Sequence, residues 1–332
     1  RFLKYPSGSA GSVMTSELVS IHADMSVAEA TEKIRAKDYD KETVYVAYVT
    51  NASRVLEGIV SLKDLIFASP DAIIADIMDT DILCANTLDH QEDVVAMIRK
   101  YDMLALPIVD KENRLVGIVT VDDAIDVIEE EATEDIEKMA AIVPSDKSYM
   151  RAGVFEIWKT RIPWLLLLML SATFTGQIIA SFESKLAAIP VLIAFIPMLM
   201  GTGGNSGGQS SVTVIRGLAV GEIENRDVWK VIWKETRVAL LCGAVLSVCN
   251  FIKIILVDNL LFGNGVSLEA NLVVSLTLIA TVIVAKIVGC ALPVGAKKLG
   301  LDPAVMASPF ITTVVDAVSL LIYFAIASII LL

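Results

Sequence analysis

The sequence closes with FITTVVDAVSLLIYFAIASIILL, residues 310–332, which carries no charge except Asp316. A helix needs about 20 apolar residues to cross the hydrocarbon core of a bilayer, so this stretch predicts a membrane span. Four more stretches of this kind precede it. They are Ile162–Phe182, residues 186–215, Val238–Val257 (with Lys253) and Leu272–Leu292 (with Lys286). The sequence therefore predicts an all-α membrane domain of five helices, residues 161–332.

The two halves of the 332-residue chain differ in charge and polarity. Hydrophobic residues make up 55% of the chain and the mean hydropathy is +0.66, which excludes a wholly soluble protein. Residues 1–150 carry 14 Lys and Arg against 29 Asp and Glu, whereas residues 151–332 carry 13 against 10. An acidic, water-soluble half thus precedes the membrane half. This distribution excludes a disordered chain and a nucleic-acid binder, which needs a basic face.

The basic residues of the loops predict the orientation in the membrane. Loops that stay in the cytoplasm are enriched in Lys and Arg. The enriched segments are those before the first span (Arg151, Lys159, Arg161), between the second and third spans (Arg216, Arg226, Lys230, Lys234, Arg237) and before the last span (Lys297, Lys298). The acidic half is therefore predicted to lie in the cytoplasm and the C-terminus outside.

The second span contains the polar, glycine-rich segment GTGGNSGGQSS, residues 201–211. Glycine weakens a helix, and freed backbone groups inside a bilayer must line a water-filled cavity or be buried in protein. The segment is interpreted as a broken helix whose carbonyl groups face a pore. The alternative is an unbroken helix that packs tightly through small residues.

Asp316 is the residue that most directly suggests a function. A carboxylate in the middle of a membrane is costly and marks an ion path by default. At helical spacing it shares a polar stripe with Thr312, Ser319 and Tyr323. The alternative is a structural ion pair with Lys253 or Lys286. Because a fixed cation would repel a cationic cargo, Lys286 is expected to face away from the path or to reach towards the interface.

The acidic half contains an internal repeat. One copy runs from Val13 to Leu65 and the other from Ile77 to Ala124. Each is predicted to consist of a helix, two strands and a second helix. Each copy also contains a Ser/Thr-x-x-Asp step, Ser61 to Asp64 and Thr120 to Asp123, which is typical of plain helix capping. The repeats as a whole resemble tandem CBS domains, regulatory modules that often bind adenine nucleotides.

The CBS resemblance implies a nucleotide site in the first repeat. In that family the hydroxyl and carboxylate of the Ser/Thr-x-x-Asp step hold the ribose and phosphates. The implied ATP-binding residues are Tyr45 or Tyr48 for stacking, Ser61 and Asp64 for the step, and Lys63 for a phosphate.

A strongly acidic connector leads from the repeats to the first membrane span. Nine of the 16 residues from Asp122 to Glu137 are Asp or Glu. A charge run usually means a solvated helix face. Here the like charges repel, and divalent cations relieve such repulsion. Oxygen ligands suit Mg²⁺ or Ca²⁺.

The cysteines and histidines indicate no additional metal or catalytic site. The four cysteines form no paired motif and are expected to be buried thiols, and His22 and His90 are isolated in the sequence, so no zinc site is expected. Neither a catalytic motif nor an ATP-hydrolysis motif is present, so the chain is not predicted to be an enzyme.

With these features assembled, the chain resembles the MgtE family of magnesium channels from about residue 5 to Leu332. Four motifs carry the resemblance: Gly201-Thr202-Gly203-Gly204-Asn205, Ala132-Thr133-Glu134-Asp135-Ile136, Leu301-Asp302-Pro303-Ala304, and Asp316 followed by Leu320-Leu321-Ile322-Tyr323. The resemblance implies an α+β cytoplasmic CBS-domain pair followed by a five-helix transmembrane domain. The implied domains are a remnant of an N-terminal domain or linker (1–12), CBS 1 (13–70), CBS 2 (71–130), a connecting plug helix (131–160) and the membrane domain (161–332).

The resemblance also implies two sets of Mg²⁺ ligands in a homodimer. The pore set comprises Asp316, Gly201, Gly204, Asn205, Ser308 and Thr312, with both copies of Asp316 holding a hydrated ion on the two-fold axis. The regulatory set comprises Glu92, Asp102, Asp123, Asp126, Glu131, Glu134, Asp135 and Asp302.

The predicted function is a Mg²⁺-selective channel of the plasma membrane, in contact with membrane lipid, with passive influx gated by cytosolic Mg²⁺. The alternatives are a CBS-regulated channel or carrier for another divalent cation, such as Mn²⁺, Co²⁺ or Ca²⁺, and a nucleotide-sensing membrane protein. A CBS-regulated anion channel would need a positive pore, which Asp316 argues against.

Overall fold

The structure is a computed structural model that describes residues 5–36, 43–145, 147–183, 189–306 and 308–331. The chain divides into two compact units, Arg1–Thr133 and Glu134–Leu332.

The first unit contains two similar α+β repeats. The first repeat contains β1 (Ser20–Ile21), α2 (Val27–Ala36), β2 (Val46–Thr50), β3 (Leu56–Ser61) and α3 (Leu62–Phe67). The second repeat contains, in the same order, β4 (Ala85–Asn86), α5 (Gln91–Lys100), β5 (Ala105–Val109), β6 (Leu115–Thr120) and the start of α6 (Val121–Met139). Short helices α1 (Ala10–Val13) and α4 (Ile74–Ile77) precede the repeats. Each sheet has three strands, a parallel pair (β1–β2, β4–β5) and an antiparallel pair (β2–β3, β5–β6). The predicted helix–strand–strand–helix order is confirmed.

Tight turns and continuous apolar strands produce the hairpin in each repeat. All five residues of β5 are buried, as a strand covered on both faces requires. The turn between β5 and β6 contains Asn113 with a φ of 59°, a left-handed conformation that asparagine tolerates better than most residues. Asp110 accepts backbone hydrogen bonds from Glu112 and Arg114 across this turn. The corresponding turn of the first repeat has Arg54 at a φ of 65°.

The two repeats exchange their leading segments. Met14 lies at the start of the first repeat but belongs to the core of the second, and Ile74 lies just before the second repeat but belongs to the core of the first. Gly117 lies so close to this exchanged segment that an added Cβ would come within 2.6 Å of the Thr15 carbonyl oxygen. Gly58 has the same relation to Met78, at 2.6 Å from its Sδ. Glycine at both positions therefore lets the partner segment approach the strand.

This exchange corrects the first predicted boundary. Residues 1–12 were expected to be a remnant or linker outside the repeats. Ala10, however, is fully buried in the core of the second repeat, with Tyr5 and Val13 packed against the same cluster. Among the described residues, the segment from Tyr5 onward is therefore part of the CBS fold.

The predicted connecting helix over residues 131–160 is also corrected, because two helices share that range. Helix α6 begins at Val121 and ends at Met139, and α7 begins only at Val154. Ala141, at a φ of 55°, turns the chain after α6. The Val143 amide then donates to the Thr160 carbonyl, so the link runs back beside α7.

The second unit is helical. Its long helices are α7 (Val154–Ser181), α8 (Ile196–Ala219), α9 (Val228–Lys253), α10 (Leu268–Lys298) and α11 (Ser308–Ile330). A 3₁₀ segment, Pro190–Phe195, leads into α8, and a π-helical segment, Ile254–Leu261, continues α9. Within the described ranges, four helical segments are long and apolar enough to cross a membrane: Val154–Ser181, Val228–Leu261, Leu268–Lys298 and Pro303–Ile330. Helix α8, at 24 residues, is the fifth long helix and contains the polar, glycine-rich segment. The prediction of a membrane domain with five helices agrees with this arrangement.

Helices α8, α10 and α11 pack together, while α7 is peripheral. Half of the residues in α8 and α10 are buried, whereas none in α7 is. Helix α7 lies against α11, where the Ser171 and Thr313 hydroxyls are 3.5 Å apart. In a bilayer its exposed leucines can face lipid or a second subunit.

Candidate ion path and regulatory carboxylates

The glycine-rich segment lies in the middle of α8, and its buried glycines form the contact face of that helix. A Cβ at Gly203 would come within 2.7 Å of Thr281 and 2.9 Å of Val315. A Cβ added at Gly204 would come within 3.0 Å of the Thr312 Cγ2. Gly207 lies between Ile311 on α11 and the Ala285 carbonyl on α10. Small residues thus let α8 approach two neighbouring helices at once.

The expected break in this helix is wrong. Helix α8 is continuous from Ile196 through the whole glycine-rich segment to Ala219. A glycine in a helix costs only about 1 kcal/mol relative to alanine, and close packing compensates for it. The interruption lies earlier, at the 3₁₀ segment Pro190–Phe195.

Asp316 lies on α11 and is half-buried. It makes no hydrogen bond or ion pair with any residue that the structure describes. Ser319, one turn further along α11, is buried against Gly203. Thr312, one turn earlier, donates its hydroxyl to the Pro309 carbonyl. Tyr323 donates to the Leu192 carbonyl, so it is engaged elsewhere.

The other predicted pore residues are distributed over two faces of α8. Gly204 lies against Thr312, whereas Gly201 and Asn205 are exposed, and no described atom lies within 4 Å of a Cβ added at Gly201. The side chain of Ser308 lies outside the described part of the structure. The single subunit therefore joins Gly204, Thr312 and Asp316 in one region.

The two lysines inside the predicted spans, Lys253 and Lys286, both have partners other than Asp316. Lys253 pairs with Asp258 at 2.8 Å. Lys286 is buried and lies 3.6 Å from the Glu235 carboxylate. Lys286 therefore does not reach towards the interface, and its ammonium is engaged by Glu235 and Ser210 instead of Asp316. No local sequence pattern indicates its partner, since Glu235 comes from another helix 51 positions away.

The end of the acidic helix α6 contacts the turn before α11. The Lys138 ammonium lies 2.5 Å from Glu134 and 2.6 Å from Asp302, and Met139 packs against Ile215 and Ala304. Partial burial alone would lower the pKa of Lys138, but the hydrogen bonds and charges of Asp302 and Glu134 raise it above its ordinary value. Because that pKa is raised, Lys138 stays charged at physiological pH and loses its proton only in strongly alkaline solution.

A second group of carboxylates lies in the first unit. The His90, Glu92 and Glu131 side chains offer ligand atoms within 4.8 Å of one another, and Gln91 donates to Glu131 at 2.6 Å. His90, which appeared isolated in the sequence, thus joins two predicted regulatory ligands. Asp123 accepts a hydrogen bond from the Thr120 hydroxyl at 2.7 Å, while Asp126 and Asp102 are exposed. Asp135 lies on α6 in the second unit.

The predicted nucleotide residues do not all share one surface. Ser61 and Asp64 form a capping box at the start of α3, with 2.5 Å between the Ser61 hydroxyl and the carboxylate, as the capping interpretation expects. Tyr45 and Lys63 are exposed. Tyr48 is only 1% exposed, in a cluster with Leu56 and Ile118. Since its ring is enclosed by apolar side chains, the prediction that Tyr48 stacks on a base is wrong.

Comparison with known proteins follows the same division of the chain. The CBS domain model matches residues 10–71 and 74–130, and the MgtE model, described as a divalent cation transporter, matches residues 196–326. The magnesium transporter MgtE of Thermus thermophilus is 40% identical over 328 residues, which are 99% of this chain and 71% of that protein. The chain belongs to the MgtE family.

Other MgtE proteins match to a similar extent. The magnesium transporter MgtE of Bacillus subtilis is 39% identical over 98% of this chain and 70% of its own length. Among solved structures, the cytosolic domain of the Mg²⁺ channel MgtE in complex with ATP is 41% identical, with a TM-score of 0.38, over 38% of this chain and 51% of that one. Membership of the MgtE family confirms the predicted CBS pair followed by a multi-pass membrane domain.

Proposed function

We propose that this protein is a passive Mg²⁺ channel whose ion path runs past Asp316. The observation that carries this proposal is a half-buried carboxylate on a membrane helix with no partner among the described residues. Mg²⁺ sheds water reluctantly and usually binds proteins through one or two carboxylates and several retained waters. The hydroxyl-bearing Thr312 and the backbone of Gly204 lie on the same side and suit those waters. Transport of magnesium by relatives named MgtE supports the choice of ion.

The channel is a homodimer in this proposal. Two copies of Asp316 on a two-fold axis would give the cargo two negative charges, which matches a divalent ion. The exposed apolar surface of α7, with no buried residue in one subunit, is consistent with a partner or lipid against it. The basic residues of the loops orient the CBS pair towards the cytoplasm and the C-terminus outwards.

Gating follows from the carboxylates of α6 and its surroundings. At high cytosolic Mg²⁺, ions bridge regulatory carboxylates such as Glu134 and Asp302 and stabilise a closed state. At low Mg²⁺ the carboxylates repel one another and the open state gains population. Such a population shift requires tighter Mg²⁺ binding to the closed state than to the open one.

Flux into proteoliposomes tests the transport proposal. The intact chain should carry Mg²⁺ down its gradient without ATP, and single-channel open probability should fall as Mg²⁺ is raised on the cytoplasmic side. Competition with Mn²⁺, Co²⁺ and Ca²⁺ separates a magnesium channel from a general divalent one. Flux that requires ATP, or open probability that does not respond to Mg²⁺, would contradict the corresponding part of the proposal.

Neutralising Lys138 should sensitise the gate. In Lys138→Met, Glu134 and Asp302 lose the cation that they share, so a divalent ion should bind there more tightly. We expect the Mg²⁺ concentration for half-closure to fall by about three- to tenfold, the range expected for removal of one partly exposed charge. Lys111→Met, in an exposed turn, is the control and should leave the gate unchanged. A shift to higher Mg²⁺ would mean that the lysine, not the metal, holds the closed contact.

We propose ATP binding at the first repeat as a second ligand interaction. Exposed Tyr45 offers a stacking surface and Lys63 a charge for a phosphate, beside the capping box of Ser61 and Asp64. Calorimetry with ATP on the intact chain and on Tyr45→Ala tests this assignment, since unchanged affinity in the variant would exclude Tyr45 from the site.

A further inference from the structure

Three helices of the membrane domain meet at one buried polar cluster, which the ion path described above does not use. The Lys286 ammonium on α10 donates to the Ser210 hydroxyl on α8 at 3.2 Å. Ser210 in turn donates to the Glu235 carboxylate on α9 at 2.5 Å. The ammonium and carboxylate are themselves 3.6 Å apart, so the hydroxyl bridges the two charges. Lys286, Ser210 and Glu235 are called the three-helix clamp below.

The clamp is unusual because its lysine is buried inside the protein. Lys286 is only 5% exposed, on a helix that is apolar enough to cross a membrane. Charged side chains inside a membrane are costly, and they usually serve a functional site. The two charges neutralise each other, so the cluster as a whole does not repel a cation. Any contribution of the clamp to transport therefore comes from the helices that it holds in position.

The clamp lies one helical turn from the closest approach of α8 to α10. Ser210 follows Gly207 by three residues, and Lys286 precedes Gly289 by three. At that approach, a Cβ added at Gly289 would lie 2.3 Å from the Gly207 carbonyl oxygen. Residues three apart share a helix face, so the clamp and the glycine contact belong to one seam.

The same turn of α8 also contacts α11. Gly207 lies against Ile311 and Val315, and Val315 immediately precedes Asp316. Gly204, a turn earlier on α8, lies against Thr312. A small slide or rotation of α8 on α10 would therefore change its contact with α11 at the residues flanking Asp316. Closely packed helices transmit such shifts because they leave no space to absorb them.

We propose that the three-helix clamp positions α8 against α11 and thereby sets the Mg²⁺ affinity of the ion path; this inference rests on the proposed channel function. Ser210 is the one clamp member on α8, so its hydroxyl ties the glycine-rich helix to the ion pair between α9 and α10. Lys286 and Glu235 are positioning residues in this scheme and do not contact the permeating ion.

The chain offers a matched pair of serines for the test. Ser211 is next to Ser210 on α8 and is fully buried, yet its hydroxyl has no hydrogen-bond partner among the described residues. Ser210→Ala and Ser211→Ala delete the same atom from adjacent positions. In Ser210→Ala, Lys286 and Glu235 can still pair directly, so no isolated charge is created.

Mg²⁺ flux into proteoliposomes should separate the two variants. Ser210→Ala is expected to raise the Mg²⁺ concentration for half-maximal flux roughly tenfold, the equivalent of one lost hydrogen bond to a charged group. Ser211→Ala should match the unaltered chain. Thermal unfolding in detergent serves as the second readout. A lower unfolding temperature for Ser210→Ala with unchanged half-saturation would overturn the proposal, because the clamp would then only hold the fold together.

A double variant keeps the proposal testable if a variant that lacks a single charge fails to fold. Lys286→Met alone leaves Glu235 buried without its cation, whereas Lys286→Met with Glu235→Gln removes both charges. The double variant should fold but keep the weakened half-saturation, and wild-type half-saturation in it would overturn the proposal. If the unaltered chain carries Mg²⁺ and Ser210→Ala matches it, only the clamp assignment fails. If the unaltered chain carries no Mg²⁺, the channel function fails and the inference fails with it.

Discussion

Asp316→Asn is expected to abolish high-affinity Mg²⁺ permeation while the membrane domain remains folded. The substitution keeps the shape of the side chain but removes its charge, and in a dimer it removes two charges from the ion. We expect the half-saturating Mg²⁺ concentration to rise by on the order of a hundredfold or more, because charge–charge attraction is strong where water is partly excluded. The fold should tolerate the change, since no described residue depends on Asp316 for a hydrogen bond or ion pair.

Proteoliposome flux and Mg²⁺ binding by calorimetry measure this effect. Asp316→Glu should retain part of the affinity because it keeps the charge. Asp258→Asn is the matched control: it makes the same change at another carboxylate of the membrane domain, one that pairs with Lys253. Permeation at wild-type affinity in Asp316→Asn would remove this residue from the ion path.

Gly289→Ala is expected to have the largest effect on stability. The added Cβ would lie 2.3 Å from the Gly207 carbonyl oxygen, and because that oxygen belongs to a helix backbone, the helices themselves must separate. Overpacking of a well-packed interior costs typically 1–3 kcal/mol, and a backbone clash falls at the upper end of that range or beyond. We expect a lower unfolding temperature in detergent and reduced Mg²⁺ flux.

Gly295→Ala provides the control on the same helix. No described atom lies within 4 Å of a Cβ at this position. Alanine is the better helix former by about 1 kcal/mol, so the unfolding temperature should stay the same or rise slightly. Equal destabilisation of the two variants would indicate that helix propensity, rather than the contact with Gly207, explains the loss.

The sequence predicted the CBS repeats well because their strands and turns are local features. In the two repeats, Gly58 corresponds to Gly117 and Met14 to Met78, but this correspondence does not reveal which residues are in contact. Each glycine packs against the methionine of the other repeat. Periodicity along a chain cannot distinguish packing within a repeat from packing between repeats, which explains the wrong boundary at residues 1–12.

The membrane domain was predictable in its spans and less so in its contacts. Hydropathy identified the helices, and the cost of a carboxylate in lipid identified Asp316. The glycine-rich segment was misread because glycine permits a break and close packing equally well, and only the neighbours of Gly203 and Gly207 decide between them. The Lys138 contact had a partial signal, since Glu134 is four residues earlier, but Asp302 is 164 positions away.

The exchanged segments of the CBS pair have a consequence for how that unit is built. Met14 is part of the core of the second repeat, and Ile74 is part of the core of the first. Neither repeat therefore forms a complete core from its own residues. Separate expression of the two repeats would give two fragments, each with an exposed apolar groove and an unpaired leading segment, instead of two smaller folded proteins. The two repeats therefore form a single folding unit, and a distortion of one repeat changes the packing of the other.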